Sequence, residues 1–212
     1  MTAPRIWLIR HGETEWSRAG RHTGRTDLPL TANGEAAADA IRSELSGVVA
    51  GLVLCSPLLR ARETARRAGL TPDAIDDDLM EWDYGAWEGR TTAQIRADLA
   101  DPGWLVWDHP VPPGGTPGEQ LDQVAERVER VIGRCRPVLD DGRDCVLVAH
   151  GHVLRILTAR WLGLPPINGR LFSLDPARLS ALGFEHETRV IRCWNATSAD
   201  RTSGNVMYRN VW

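Results

Sequence analysis

The feature that most restricts the fold of this chain is a unit that occurs three times: a short unbroken apolar run, a sharp turn carrying arginine or histidine, then a helical segment. Ile6-Trp7-Leu8-Ile9 leads into Arg10-His11-Gly12. Leu52-Val53-Leu54-Cys55 leads into Ser56-Pro57-Leu58-Leu59-Arg60, and Cys145-Val146-Leu147-Val148-Ala149 leads into His150-Gly151-His152. A strand with one wet face alternates apolar and polar residues, so unbroken runs of this length need cover on both faces, as in a parallel sheet between helices. Helix signals fall where such a sheet needs them. Residues 31–45 are alanine-rich and close at Gly47; Ser56-Pro57 reads as an N-cap and first helical position, with that helix stopping at Gly69. Thr116-Pro117-Gly118-Glu119 reads as a capping box, and behind it Leu121, Val124, Val128, Val131, Ile132 and Cys135 recur on one helical face. Residues 153–162 form a further helix ending at Gly163, and the segments near 179–184 and 189–194 read as shorter strands at a sheet edge. The expectation is an α/β fold: a doubly wound three-layer α/β/α sandwich whose central sheet is mostly parallel, with a shorter edge strand.

The 212 residues contain no repeat, linker or low-complexity tract, and 42% hydrophobic with 25% charged residues suits one domain, 1–212, around one core. A net charge of -3 gives no broad footprint for nucleic acid, so an anionic ligand would need a local cluster of positive groups. The stretch before Arg10 is too short for a signal-peptide core or a spanning helix, so no membrane partner is expected and the location expected is cytoplasmic. Cys55, Cys135, Cys145 and Cys193 form no C-x-x-C pair and read as reduced structural thiols. Asn195-Ala196-Thr197 matches a glycosylation sequon, which carries no weight without a secretion signal.

In open α/β sheets, ligands bind beyond the carboxyl ends of the strands. Here three strands deliver Arg10, His11, Arg60 and His150 to that edge. Groups that are positive, or able to become so, repel each other unless an anion sits among them. Phosphate is the natural occupant, because arginine forks match its oxygens in pairs and helix N-termini add backbone donors.

Arg10-His11-Gly12-Glu13-Thr14 resembles the R-H-G-x-T signature of the histidine phosphatase superfamily, which includes cofactor-dependent phosphoglycerate mutases. The resemblance continues through residues 23–31, Ser56-Pro57-Leu58-Leu59-Arg60-Ala61, Glu81-Trp82-Asp83-Tyr84-Gly85 with Trp87-Glu88-Gly89, and His150-Gly151, in family order from Arg5 to about Leu164. Thr14-Glu15-Trp16-Ser17, the Thr23-Gly24-Arg25-Thr26-Asp27 loop and the Glu81 block are similar to the branch containing sedoheptulose bisphosphatases and broad-specificity acid phosphatases. Ser17 stands where many relatives have asparagine, and the stretch 195–212 matches nothing in the family pattern.

His11 is then the expected nucleophile: an imidazole nitrogen can carry a phosphoryl group and split one displacement into two. It must be neutral on the attacking side, which neighbouring arginines favour by repulsion, and its other nitrogen would donate to a backbone carbonyl. Arg10, Arg60 and His150 would hold the equatorial oxygens of the transferring group. The resemblance selects Glu81 as general acid. It also implies substrate contacts from Ser17, Thr23, Gly24, Tyr84, Gly151 and His152. His11, His150 and His152 could form a three-nitrogen zinc site, but the flanking arginines argue against a dication, and neither a metal nor another cofactor is expected. A lid or substrate-specificity segment is expected around 82–117, with Trp104 and Trp107 over the pocket.

The reading favoured is hydrolysis of a small phosphate ester, such as a sugar phosphate. A mutase of this family would carry a longer insertion and a Glu-Arg-His/Tyr pattern where Glu81 is followed by Trp82. A non-catalytic phosphate-binding module would have lost one of the five chemical groups, and none is missing. The substrate is not legible. Neither is the oligomeric state, with which a homodimer is compatible.

Overall fold

The computed structural model describes residues 3–196. Its six-stranded sheet contains β1 (Ile6–Arg10), β2 (Ala50–Cys55), β3 (Ala74–Ile75), β4 (Asp144–Ala149), β5 (Leu179–Glu185) and β6 (Thr188–Ala196), in the order β3-β2-β4-β1-β5-β6. The pairs β3·β2, β2·β4 and β4·β1 are parallel, whereas β5 runs antiparallel to β1 and β6 antiparallel to β5. Arg10 lies level with Ala149, and Cys55 level with Val148, so the three charged turns leave the sheet side by side.

The unbroken apolar runs are explained by cover on both faces. Ile6, Leu8, Leu54, Cys145 and Leu147 pack with Val124, Val128, Val153 and Leu157 of helices α5 (Leu121–Asp140) and α6 (Gly151–Trp161). Trp7, Ile9, Val53, Cys55, Val146 and Val148 face the other way, onto Ile41, Ala61 and Ala65 of α2 (Ala32–Glu44) and α3 (Leu59–Arg67). Alternate residues of one strand thus belong to different cores. A one-turn helix, α1 (Glu15–Arg18), follows β1.

Three local expectations need correction. The strands at 179–185 and 188–196 do form an edge, but they are the longest in the sheet, and the short edge strand is β3 on the opposite side. Ser56 does not cap α3, which begins at Leu59 with Leu58 at the cap position. The Thr116 segment is not the cap of α5; the Thr116 hydroxyl bonds the Asp83 carboxylate instead. That helix starts at Leu121, where the Gln123 side chain accepts the Gln120 N–H at 2.7 Å.

Residues 82–117 include α4 (Thr92–Leu99) and pack as part of the first core through Trp82, Trp87, Ile95, Trp104 and Val111. Trp104 and Trp107, expected over the pocket, are buried within this layer: Trp104 crosses Trp87 at 4.7 Å between ring centroids, and Trp107 meets His152 at 4.9 Å. The four cysteines are free and buried. No described helix is long and apolar enough to cross a membrane. Thr197 of the sequon and the rest of the 195–212 stretch from that point lie outside the described residues.

Candidate active site

The turn after β1 is held by backbone. His11 N–H donates to Ala149 O at 2.9 Å, extending the β1–β4 ladder by one residue. Gly12 N–H donates to the Thr64 hydroxyl of α3 at 3.0 Å. Glycine is required there, because a Cβ on Gly12 would stand 2.4 Å from Gly34 O. His11 is 4% exposed, and its Nδ1 lies 2.7 Å from Gly12 O. A carbonyl only accepts, so Nδ1 carries the proton and Nε2 keeps a bare lone pair. Burial, then the Arg60 and Arg10 guanidinium groups, push the His11 pKa well below the usual histidine value, so the ring stays neutral.

Arg10 anchors Nη1 to Leu174 O, while its Nε is buried without a partner among the described residues. Its guanidinium lies over Gly151, where a Cβ would come within 3.3 Å of it. Arg60 is fully buried: Nη1 donates to Thr26 O at 2.8 Å, and Nη2 to Gly24 O at 2.9 Å and Thr23 O at 3.1 Å. Its Nε donates to His150 Nδ1 at 3.1 Å. His150 must therefore be protonated on Nε2, which donates to the Ser56 hydroxyl at 2.7 Å. The His11 and His150 rings lie 5.1 Å apart.

Glu81 meets three backbone donors: Oε1 accepts from Trp82 N and Val153 N at 3.0 and 2.9 Å, and Oε2 from His152 N at 3.0 Å. Two of these are unsatisfied N–H groups in the first turn of α6, a natural seat for a carboxylate. Arg127 fixes the chain on either side, donating to Met80 O at 2.6 Å and Glu81 O at 3.1 Å, with Glu119 as its 2.7 Å ion-pair partner.

A cavity of about 180 Å³ opens beside these groups. Among the residues singled out from sequence, Arg10, His11, Ser17, Thr23, Glu81, Tyr84, Gly151 and His152 line it. Arg60, His150 and Gly24 lie behind its wall rather than on it. Ser17 lines the cavity with its hydroxyl engaged in a cap: Oγ accepts Thr14 N–H at 2.9 Å and donates to Thr14 O at 3.1 Å. Gly24 N–H is held by the Glu88 carboxylate at 2.9 Å, and a Cβ there would lie 2.5 Å from Trp82 O. His152 turns Nδ1 to the Tyr84 hydroxyl at 2.5 Å, while His150 has both nitrogens engaged, so the three histidines do not present nitrogens to a common point. Among the described residues, no group of three or more His, Cys, Asp or Glu side chains is arranged to hold a metal ion.

Sequence reasoning missed four residues. Arg21, His22 and Arg155 also line the cavity, and Ser56 partners His150. His22 immediately precedes the quoted loop at Thr23, and Arg155 lies one helical turn beyond Gly151, so spacing on α6 was the available signal. The His22 ring packs against Tyr84 at a tilt, with centroids 4.9 Å apart, and burial pushes its pKa down to about 4.

Residues 6–197 match a family model described as the histidine phosphatase superfamily (branch 1). The chain is 41% identical over 194 residues to an acid phosphatase of Mycobacterium tuberculosis, spanning 88% of this chain and 90% of that protein. It is 36% identical over 190 residues to sedoheptulose 1,7-bisphosphatase of Saccharomyces cerevisiae, across 76% of this chain and 68% of that one. Among solved structures it resembles the product of an open reading frame of Mycobacterium tuberculosis with a TM-score of 0.85 at 38% identity, covering 92% of this chain and 99% of the other.

Proposed function

The chain belongs to the histidine phosphatase superfamily (branch 1), and from that premise we propose that it hydrolyses phosphomonoesters of small metabolites, sugar phosphates among them, through a phosphohistidine on His11. The observation that carries this reading is the His11 ring: neutral, locked by Gly12 O, with its Nε2 lone pair free on a cavity wall that it shares with Arg10 and that Arg60 backs. Nε2 attacks phosphorus, and the ester P–O bond breaks. The leaving oxygen takes a proton from Glu81, whose Oε2 meets one backbone donor against two at Oε1 and so has the freer lone pair for that proton. In the second half, Glu81 takes a proton from water, the resulting hydroxide attacks phosphorus, and the P–N bond breaks to restore His11.

The positive charge needed by the in-line transition state is supplied by Arg10 and Arg60 rather than by a metal ion. Arg10 offers the buried, unpartnered Nε, and Arg60 keeps one Nη1 N–H beyond its bond to Thr26 O. His150 holds Arg60 through Nδ1 and stands against the nucleophile ring. Ser17, Thr23, Tyr84, Gly151 and His152 complete the wall around the ester.

The test is a rapid mix with a ³²P-labelled phosphate ester followed by an alkaline quench. Wild-type protein is expected to hold base-stable label, and His11→Ala none. Normal turnover by His11→Ala would end the covalent mechanism. Incubation with 3-phosphoglycerate is expected to release phosphate, and conversion to 2-phosphoglycerate would instead mark a mutase.

A further inference from the structure

Arg155 and the exposed Arg21 line the cavity with no task in the chemistry above, and Arg155 is the less exposed of the two. It lies on α6, four residues after Gly151 and three after His152, so all three face the same way. Its guanidinium is built into place. Nε donates to Gly169 O at 3.1 Å and Nη2 to Arg170 O at 2.9 Å, while the plane rests 4.8 Å from the Trp107 ring centroid. Gly169 makes this approach possible, since a Cβ there would stand 3.0 Å from Trp107 and 3.1 Å from the Arg155 main chain. Among the described residues its only hydrogen-bond partners are those two carbonyls, which leaves both N–H groups of Nη1 free. A half-buried guanidinium with two N–H groups held by neutral carbonyls and an open edge on a cavity is prepared for an anion.

Position relative to Glu81 says which part of the substrate it would meet. A general acid must stand at the leaving oxygen. Glu81 is bonded to the first turn of α6, at His152 N and Val153 N, and Arg155 is in the next turn of the same helix. The Arg155 guanidinium also lies close enough to Glu81 to interact with its charge. The other polar groups on this side, Tyr84 and His152, are held in their neutral forms by burial and bring no charge of their own.

Resting on the hydrolase reading above, we propose that Arg155 is a specificity-determining residue that binds a second anionic group, carboxylate or phosphate, carried by the leaving part of the ester. Such substrates would be phosphorylated acids or bisphosphates rather than simple sugar monophosphates.

The experiment compares matched ester pairs that differ in that group: 3-phosphoglycerate against glycerol 3-phosphate for carboxylate, and fructose 1,6-bisphosphate against fructose 6-phosphate for phosphate. Wild-type kcat/KM should favour the doubly anionic member of at least one pair by about tenfold or more, the worth of one charge-assisted hydrogen bond, mainly through KM. Arg155→Gln should bring that ratio close to one. A ratio taken within one preparation is unaffected by partial loss of folded protein. No preference in either pair for the wild type, or an undiminished ratio in Arg155→Gln, overturns the proposal. Calorimetric binding of the same esters to His11→Ala, with and without Arg155→Gln, decides the role of Arg155 independently of turnover. Wild-type protein that hydrolyses none of these esters would refute the hydrolase reading alone.

Discussion

Arg60 Nε donates to His150 Nδ1 across 3.1 Å, so two residues 90 positions apart fix each other's state. The bond requires an acceptor on His150 and thus a neutral ring, whose other nitrogen then donates to Ser56. Three further Arg60 N–H groups close the 23–26 loop onto α3. One guanidinium therefore joins the ends of β2 and β4 to the loop that borders the cavity.

That arrangement predicts that Arg60→Lys is not conservative. A lysine retains the charge but cannot reach three carbonyls and an imidazole in one plane, which leaves buried acceptors unpaired. Stability should fall by about 2–4 kcal/mol and kcat/KM by roughly a hundredfold. Urea unfolding and steady-state kinetics measure both. A Lys variant with wild-type stability would show that the network is not what orders this edge.

Glu81→Gln should damage the fold and the chemistry in separable ways. The carboxylate meets three backbone N–H donors, and an amide NH₂ placed in that seat faces at least one of them donor to donor. A loss of about 1–3 kcal/mol is expected. Turnover of alkyl phosphates should drop by about 10²–10⁴, and that of p-nitrophenyl phosphate much less, because its phenolate leaves without a proton. Equal losses on both substrates would remove Glu81 from the acid role.

Four histidines of the cavity region predict how stability depends on pH. Burial holds His11, His150 and His152 well below the usual histidine pKa and pushes His22 down to about 4. Once the pH is below about 6.5, the unfolded chain binds protons that the folded chain refuses. Stability is thus full above about pH 6.5 and is lost progressively as pH falls towards the folded-state values. Because the His11 ring stays neutral through that window, kcat/KM should show no acid-limb inflection near 6.5 from this proposed nucleophile. Urea unfolding from pH 4 to 8 gives the slope, and His22→Asn should lessen it by one proton between about 6.5 and 4. A pH-independent unfolding free energy across that range would contradict the burial assignments.

The gathering of Arg10, His11, Arg60 and His150 was legible because continuous apolar runs force a covered parallel sheet, and its carboxyl edge collects whatever follows each strand. What escaped the sequence depends on tertiary partners. Ser56 before proline reads locally as a helix cap, yet its hydroxyl meets the imidazole that follows β4, and α3 starts further on. Thr116 reads as a cap by the same local rule, but Asp83 takes its hydroxyl. Trp104 and Trp107 carry the same apolar area whether they cover a pocket or fill a core, and only packing showed that they are buried. His22 and Arg155 are 133 positions apart, and no local pattern could have put them on one cavity wall.

Gly151→Ala separates positioning from stability most cleanly. Gly151 is the first residue of α6, it has no positive φ, and alanine there should gain up to about 1 kcal/mol of helix propensity. The new methyl group, however, would meet Arg10 at 3.3 Å from both Cζ and Nε, so the guanidinium must yield by a few tenths of an ångström. Arg10 has little freedom to move elsewhere, because Nη1 is tied to Leu174 O and burial surrounds the rest. The displaced group is the Nε to which the proposed mechanism gives the phosphoryl oxygen, and misplacement of about an ångström in such sites costs up to a hundredfold. A smaller shift predicts kcat/KM down by about tenfold with Tm unchanged or raised. Thermal melts and kinetics on one preparation supply both values, and unaltered kinetics in a stably folded Gly151→Ala protein would mean that Arg10 does not touch the transferring group from this position.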